Sequence, residues 1–248
     1  MVMAPSLISL DKIEVKLTKI VSLEGNDITG CSLFSDGKMI LSSYEDKKVV
    51  LKDDRSNPVK ITFEFQTFDI EQIDGSLIAI TTGYEGGRIL LRDLLERKTK
   101  KIIDVDVSND GIAVSGDWLY FSVRKNGLMR ANIIDGSICE VVKGPMSGCA
   151  YIAIFGNNLY FTNKSKHTVT CSDLEGHVKW IFKDESILSF PLGISVDNYG
   201  NIYVVGNEFS SVVVISPDGK QIKVILSSAD GLDCPQVLHY KTEKITGC

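Results

Sequence analysis

A short sequence pattern returns along this chain at intervals of 38, 42, 40 and 43 residues. Each copy is a turn rich in Asp, Asn or Gly, followed by an aliphatic anchor and then by small or β-branched residues. The anchors are Met39, Leu77, Leu119, Leu159 and Ile202. A repeat of this length restricts the chain to an architecture of similar units that bury their surfaces against one another.

Each repeat has room for four short β-strands joined by tight turns. The clearest copy predicts an inner strand at 192–197, a second at 202–206, a third at 211–216 and an outer strand at 221–226. The turns at 198–201 and 217–220 contain Gly200 and Gly219, which tolerate positive φ without a Cβ clash. The outer strand alternates apolar and polar residues, which is typical of a sheet with one packed face.

We therefore predict an all-β fold, a six-bladed β-propeller with four-stranded antiparallel blades. The expected single domain spans 1–248, with a closing segment at 1–23 and blades at 27–65, 66–107, 108–147, 148–188, 189–228 and 229–248. A further step of 43 residues reaches Ile245 in a degraded copy, so the sixth blade is expected to be short. Residues 12–22 are predicted to supply its outer strand. Its third strand is either supplied by 5–10 or missing.

Composition excludes several classes of function. The 248 residues are 44% hydrophobic and carry a net charge of −5, which disfavours non-specific binding to phosphate. No apolar run approaches the roughly 18 residues of a membrane span, and the first residues lack the pattern of an export signal, so no membrane partner is expected. The six cysteines include no CxxC pair, and we expect reduced thiols in a cytoplasmic protein.

Two stretches of blade five, 191–205 and 212–220, resemble an NHL repeat, and 34–42 with 49–53 is similar to a weaker copy. From 27 to 248 the chain most resembles the six-bladed NHL propeller at the C-terminus of tripartite-motif proteins, particularly the expanded invertebrate group. The resemblance implies a propeller that recruits partners, while upstream RING, B-box and coiled-coil modules supply ubiquitin-ligase activity and self-association. The zinc-ligand clusters of those modules are not in this sequence, so ligase chemistry is not expected in these residues.

The loops between second and third strands are expected to lie together on one face, where rigid scaffolds usually carry recognition residues. We predict that this face binds a protein or peptide segment, with three aromatic anchors and one arginine. The alternative is a set of solvated loops without a partner. The predicted contact residues are Tyr44, Glu45, Tyr84, Arg124, Lys125, Asn163, Lys164, His167, Asn207 and Phe209.

Two other kinds of partner are weighed against this prediction. The basic run 97–101 would suit RNA, but the net charge and the lack of interleaved aromatic residues favour a solvated hairpin on the opposite face. An open sheet edge in blade six would favour self-association if 5–10 did not cover it.

Catalysis is the remaining alternative. A calcium-dependent hydrolase that resembles six-bladed lactonases would place Asp69, Glu71, Asn157 and Asp197 around a funnel calcium. However, no nucleophile motif, phosphate loop or convergent acidic cluster is visible. The histidines, His167, His177 and His239, lack metal-ligand spacing, and His239 is expected to be packed or to line the funnel. The chain is therefore predicted to be a non-catalytic interaction module with no cofactor and no metal.

Overall fold

The computed structural model describes residues 9–15, 27–34, 36–53, 56–105 and 108–240. Within them the chain forms five four-stranded antiparallel sheets, each built from four strands that are consecutive in the sequence. The first strands of successive sheets lie beside one another. They are therefore the inner strands of blades around a common axis, which is the arrangement of a β-propeller.

The strand bounds follow the predicted repeat closely. Blade one contains β1 (Ile28–Leu33), β2 (Met39–Ser43), β3 (Lys48–Lys52) and β4 (Val59–Thr62). Blade two contains β5 (Ile70–Asp74), β6 (Leu77–Thr81), β7 (Arg88–Asp93) and β8 (Lys98–Asp104). Blade three contains β9 (Asn109–Ser115), β10 (Trp118–Val123), β11 (Gly127–Asn132) and β12 (Ile138–Lys143). Blade four contains β13 (Ile152–Phe155), β14 (Asn158–Asn163), β15 (Thr168–Ser172) and β16 (Val178–Phe182), and blade five contains β17 (Pro191–Val196), β18 (Ile202–Gly206), β19 (Ser211–Ile215) and β20 (Ile222–Leu226).

The prediction of six blades is wrong, because the described residues form five. After β20 comes a single 3-10 turn, Ser228–Asp230, and then an extended stretch at 232–240 that pairs into no ladder. It touches blade five where the Gly193 N–H donates to the Gln236 carbonyl (2.9 Å) and the Tyr240 N–H donates to Ser195 Oγ (3.0 Å). This stretch therefore lies where a next inner strand would stand, but no described second strand pairs with it.

The predicted closing segment is only partly described. Residues 10–12 form a 3-10 turn rather than a strand, and the turn packs on β20 with Leu10 buried. Lys223 Nζ donates to the carbonyls of Leu10 (3.3 Å), Asp11 (3.1 Å) and Ile13 (2.9 Å). The other parts of the predicted sixth blade, at 5–8, 16–22 and 241–248, lie outside the described residues.

A repeated polar contact joins neighbouring blades. Hydroxyls of the second strands donate to carbonyls that belong to the next blade: Ser42 to Phe68 (2.5 Å), Thr81 to Asp110 (2.6 Å) and Ser122 to Ala150 (2.8 Å). The backbones approach closely here, because a Cβ on Gly111 would lie 2.5 Å from the Ala150 carbonyl oxygen. Glycine is therefore required where blade three meets blade four.

The core fills the spaces between blades. Its largest fully buried side chains include Ile40, Ile78, Leu119, Tyr160 and Phe121. These come mostly from second strands, which lie in the middle of each sheet and pack on both sides. Within the described residues, no helix is long and apolar enough to cross a membrane.

Candidate functional site

The end of the propeller that carries the loops between second and third strands is called the loop face here, and the opposite end the hairpin face. On the loop face the structure brings together residues from three blades. The Tyr84 N–H donates to the Tyr44 hydroxyl (3.4 Å), and the Arg124 guanidinium lies 5.2 Å from the centre of the Tyr84 ring. These three residues form one contiguous surface, the Tyr84 patch.

Arg124 is fixed in this patch by a carboxylate beneath it. Its Nε and Nη2 each lie 3.1 Å from an oxygen of Asp110, whose side chain is 1% exposed. One of the same oxygens also accepts the N–H of Cys149 (2.9 Å). Arg124 therefore holds a bidentate ion pair while its plane supports the tyrosine ring.

The local backbone forces Tyr84 outward. A single helical turn, Gly83–Gly86, carries Tyr84, and Gly83 has φ +67 with a Cβ position only 2.5 Å from the Tyr44 ring. Glycine lets the turn sit directly against Tyr44, which in turn packs edge-on against Phe68 with centroids 6.0 Å apart. The Tyr84 side chain remains 65% exposed.

The predicted residues of blades four and five are divided between structural and surface roles. Asn163 is buried and caps the 3-10 turn Lys164–Lys166, and Asn207 Nδ2 donates to the Pro235 carbonyl (3.1 Å). Lys164 lies over the Phe190 ring at 5.7 Å, whereas Phe209 is 45% exposed. Glu45 and Lys125 are exposed on the loops of blades one and three.

Sequence reasoning missed a polar cluster beside His167. Ser189 Oγ lies 3.0 Å from His167 Nδ1 and also donates to Glu208 Oε2. The hydroxyl lies between imidazole and carboxylate, unlike a nucleophile relay, in which the imidazole occupies the middle. With Ser189 buried, the cluster ties three loops together. The separations of 22 and 19 residues form no local motif that could have revealed it.

The central axis is closed near the loop face by aromatic side chains. Tyr151, at the start of the inner strand of blade four, donates its hydroxyl to the Thr29 carbonyl of blade one (2.6 Å). Its ring packs 5.5 Å from that of Phe68, and Tyr151 is buried. Because blades one and four lie across the ring from each other, the side chain of Tyr151 crosses the axis.

Towards the hairpin face the axis widens into a cavity of about 290 Å³, the axial cavity. The polar groups in its wall come from the ends of the inner strands and from the stretch at 232–240. They include Ser32, Glu71, Gln72, Ser195, His239 and Tyr240. His239 thus lines the axis, and burial lowers the pKa of its imidazole.

Two neighbouring carboxyl groups on blade two differ in their surroundings. Asp69 accepts the N–H groups of Ile70 (2.9 Å) and Ile112 (3.0 Å), one on each oxygen. Burial raises the pKa of Asp69 to about 7 and that of Glu71 to about 8, and the charge of Asp69 adds to the second shift. Glu71 receives the N–H of Gln72 and otherwise faces the axial cavity.

The calcium set that the lactonase alternative requires is not assembled. Asp69 and Glu71 lie on blade two, whereas Asn157 and Asp197 lie on turns of the hairpin face. The Asp197 carboxylate is already occupied by the N–H groups of Tyr199 and Asn201 and by the Tyr203 hydroxyl. In the part of the chain that the structure describes, no group of three or more His, Cys, Asp or Glu side chains is placed to hold a metal ion.

The basic run lies on the hairpin face, as the sequence predicts, and two of its lysine side chains are engaged. Most of it belongs to β8, the outer strand of blade two. Lys100 pairs with Glu96 (2.5 Å), and Lys101 Nζ donates to the carbonyls of Ile133 (3.0 Å) and Ile134 (2.8 Å). The run therefore joins blade two to blade three.

No family model matches the chain, and no curated protein matches it. Several solved structures do match it. A virginiamycin B lyase from Staphylococcus aureus is 16% identical, with a TM-score of 0.68 over 85% of this chain and 73% of the lyase. A chain of the nidogen–laminin complex is 13% identical, with a TM-score of 0.74 over 86% of this chain and 84% of its own length. The calcium-binding protein regucalcin from Agrobacterium tumefaciens is 15% identical, with a TM-score of 0.64 over 80% of this chain and 73% of regucalcin.

At these identities the comparisons show the β-propeller fold alone. They do not show the tripartite-motif family, so that resemblance remains a prediction. The expectation that the chain is not an enzyme is contradicted, because propellers of this fold include lyases. The inference failed because residues in a propeller converge from separate blades, so a catalytic set leaves no local spacing in the sequence.

Proposed function

We propose that the protein is a partner-binding propeller that holds a protein or peptide segment on its loop face, centred on the Tyr84 patch. The observation that carries the proposal is the exposed Tyr84, whose backbone N–H donates to the Tyr44 hydroxyl and whose ring lies against the ion-paired Arg124. Tyrosine and arginine dominate the energetic centres of protein interfaces. Since this tyrosine is already held in place, binding would cost little side-chain entropy.

The charges around the patch define the kind of segment that fits. The loops of blades one, two and five carry exposed acidic residues, among them Glu45 and Glu208, and the loops of blades three and four carry the exposed or half-exposed lysines Lys125 and Lys164. A segment carrying both signs of charge around an apolar or aromatic residue would be complementary to this surface. The nidogen–laminin complex supports the proposal, since a propeller of the same fold occurs there in a protein assembly.

The tripartite-motif resemblance extends the proposal one step further. In that family the propeller recruits the substrates of ubiquitin ligases, and a loop-face segment would then belong to such a substrate. Support for this finer proposal comes from the NHL-like residues of blades one and five, around Phe34 and Pro191.

The test is affinity capture from native lysate with the wild-type chain and the Tyr84→Ala variant, read by quantitative mass spectrometry. The matched control is Leu95→Ala, which removes an 85% exposed apolar side chain from the hairpin face. Proteins retained by the wild type and by the control should be depleted at least about tenfold with Tyr84→Ala, as at an interface centre. Identical recovery with all three proteins would reject the loop face as the binding surface.

A further inference from the structure

We propose that the axial cavity binds a small organic cation through a hydrogen-bond-donating head group, guanidinium or ammonium, with the Glu71 carboxylate as its counter-ion. This site is separate from the loop face, because the crossed side chain of Tyr151 and the ring of Phe68 lie between them. The inference does not depend on the proposed function.

The cavity has the size and the walls of a ligand site. Its volume of about 290 Å³ accommodates a head group with a short aliphatic tail. Five inner strands form the walls, and the stretch at 232–240 completes them with His239 and Tyr240. The cavity is concave, and polar groups from several strands converge on it, as at small-molecule sites; its exposed lining is mainly polar, which suits a charged head group more than an apolar ligand.

The chemistry of the walls favours a cation. No lysine or arginine among the described residues lines the cavity, whereas Glu71 contributes a carboxyl group and Gln72 and Ser195 contribute acceptor oxygens. Asp69, just before the same strand, adds negative potential. A positively charged head group would therefore meet acceptors without a competing protein cation.

One buried group in the wall has no hydrogen-bond partner in the described structure, and a partly exposed carboxyl group has few. Ser32 is 1% exposed, and its Oγ has no hydrogen-bond partner in the described structure. Glu71 accepts one backbone N–H, whereas both oxygens of Asp69 are occupied. Since buried polar groups are nearly always satisfied, the Ser32 hydroxyl is a position where a partner is missing, and the partly exposed Glu71 carboxyl can accept further donors from the cavity.

A cation would also compensate the buried acid. Burial raises the pKa of Glu71 to about 8, so at neutral pH the free protein holds most of this carboxyl protonated. An organic cation replaces that proton, and binding should therefore strengthen as the pH rises towards 8. Of the other titratable groups, Cys31 on β1 and Asp69 before β5 interact with Glu71, and His239 and Tyr240 on the final stretch share its cavity. Asp110 on β9 and Tyr151 before β13 interact with Asp69.

The test is isothermal titration calorimetry of the full chain with methylguanidinium, whose charge is constant over the working range. N-methylurea is the neutral ligand of the same shape. Methylguanidinium should bind at least about tenfold more tightly than methylurea, and roughly tenfold more tightly at pH 8.5 than at pH 6.5 because protons compete for Glu71. The Glu71→Gln variant should lose both differences. Glu85→Gln, which neutralises an exposed carboxylate on the loop face, should keep them.

The pH series on the wild-type protein tests the proposal even if Glu71→Gln fails to fold. Equal binding of methylguanidinium and methylurea would overturn it in favour of a neutral polar ligand. Heat released on titration with calcium chloride, with none from methylguanidinium, would overturn it in favour of a metal site. Loss of binding in Glu85→Gln would show that the cation binds outside the cavity.

Discussion

The two ends of the central axis are built from the same inner strands, yet they treat polar groups in opposite ways. Near the loop face, Asp110 is fully paired with Arg124, and the Tyr151 hydroxyl reaches the Thr29 carbonyl. Near the hairpin face, the Ser32 hydroxyl has no partner in the described structure and Glu71 holds one backbone N–H. In these residues, satisfied groups stabilise the ring near the loop face, whereas the groups near the hairpin face are the ones that the proposed cation would pair with.

The largest effect on stability is expected from a substitution near the loop face, where the axis is closed. Arg124→Ala leaves the Asp110 carboxylate buried without its counter-ion, and we expect a loss of about 2–4 kcal/mol in unfolding free energy, since the arginine is partly exposed. Urea denaturation followed by tryptophan fluorescence measures it. Lys125→Ala, the exposed neighbour, should change stability by less than about 0.5 kcal/mol. Equal midpoints for the two variants would mean that the ion pair does not stabilise the ring.

Near the hairpin face, the Glu71 carboxyl should make the stability of the protein depend on pH. The Glu71 carboxyl ionises near 4.5 in the unfolded chain and near 8 in the folded protein. Between these values the folded state keeps a proton that the unfolded state has released. Stability should therefore fall as pH rises, by at most about 1.4 kcal/mol per pH unit. Urea midpoints measured between about pH 5 and pH 8 would show this slope, and Glu71→Gln should reduce it. Asp69 would still contribute up to its own folded pKa of about 7. A slope unchanged by the substitution would place the responsible group elsewhere.

A smaller effect is expected for the crossed tyrosine. Tyr151→Phe keeps the ring in place but removes the donor to the Thr29 carbonyl, which should cost about 1–2 kcal/mol. Thermal unfolding by calorimetry provides the measurement. Tyr199→Phe, a half-exposed tyrosine on the hairpin face, is the matched control and should have little effect. A loss as large in the control would argue against a special role for the hydroxyl that crosses the axis.

The smallest effect on stability is expected at Tyr84. Because the side chain is 65% exposed, Tyr84→Ala should lower the unfolding free energy by no more than about 0.5 kcal/mol, including the lost cation–π contact. Urea denaturation under the conditions used for Arg124→Ala provides the comparison. A loss above about 2 kcal/mol would identify Tyr84 as part of the ring's structure. In that case, a loss of captured partners with Tyr84→Ala would reflect a change in the structure as well as a change in binding.

The repeat predicts most of the fold because strand alternation and turn chemistry are local. All five anchors, from Met39 to Ile202, lie in second strands, and the second strand of blade five has the predicted bounds. The prediction of a sixth blade failed because the pairing of strands is not a local property of the sequence. The repeat spacing indicated another unit, but a strand forms only where a neighbouring strand pairs with it, and the stretch at 232–240 has no second strand among the described residues.

The sites were predicted less well than the fold. Loop positions could be assigned to one face, and Tyr44, Tyr84 and Arg124 do lie together. The partners of the loop residues could not be assigned. Asp110, which pairs with Arg124, comes from an inner strand, and Ser189, which contacts His167, comes from the connection between blades four and five. Both contacts depend on how the blades pack. The same argument applies to the axial cavity, which draws two or three residues from each inner strand and leaves no motif in the sequence.

The bond between Tyr151 and Thr29 joins residues 122 positions apart. A ribosome that has released blades one to three has not yet made the residue that closes their axis. Until blade four emerges, the Thr29 carbonyl and the Phe68 ring face an unfilled centre. The order of synthesis therefore makes blade four the point at which a growing chain can first seal its interior, and its arrival should set the time at which the nascent protein becomes protected from proteases.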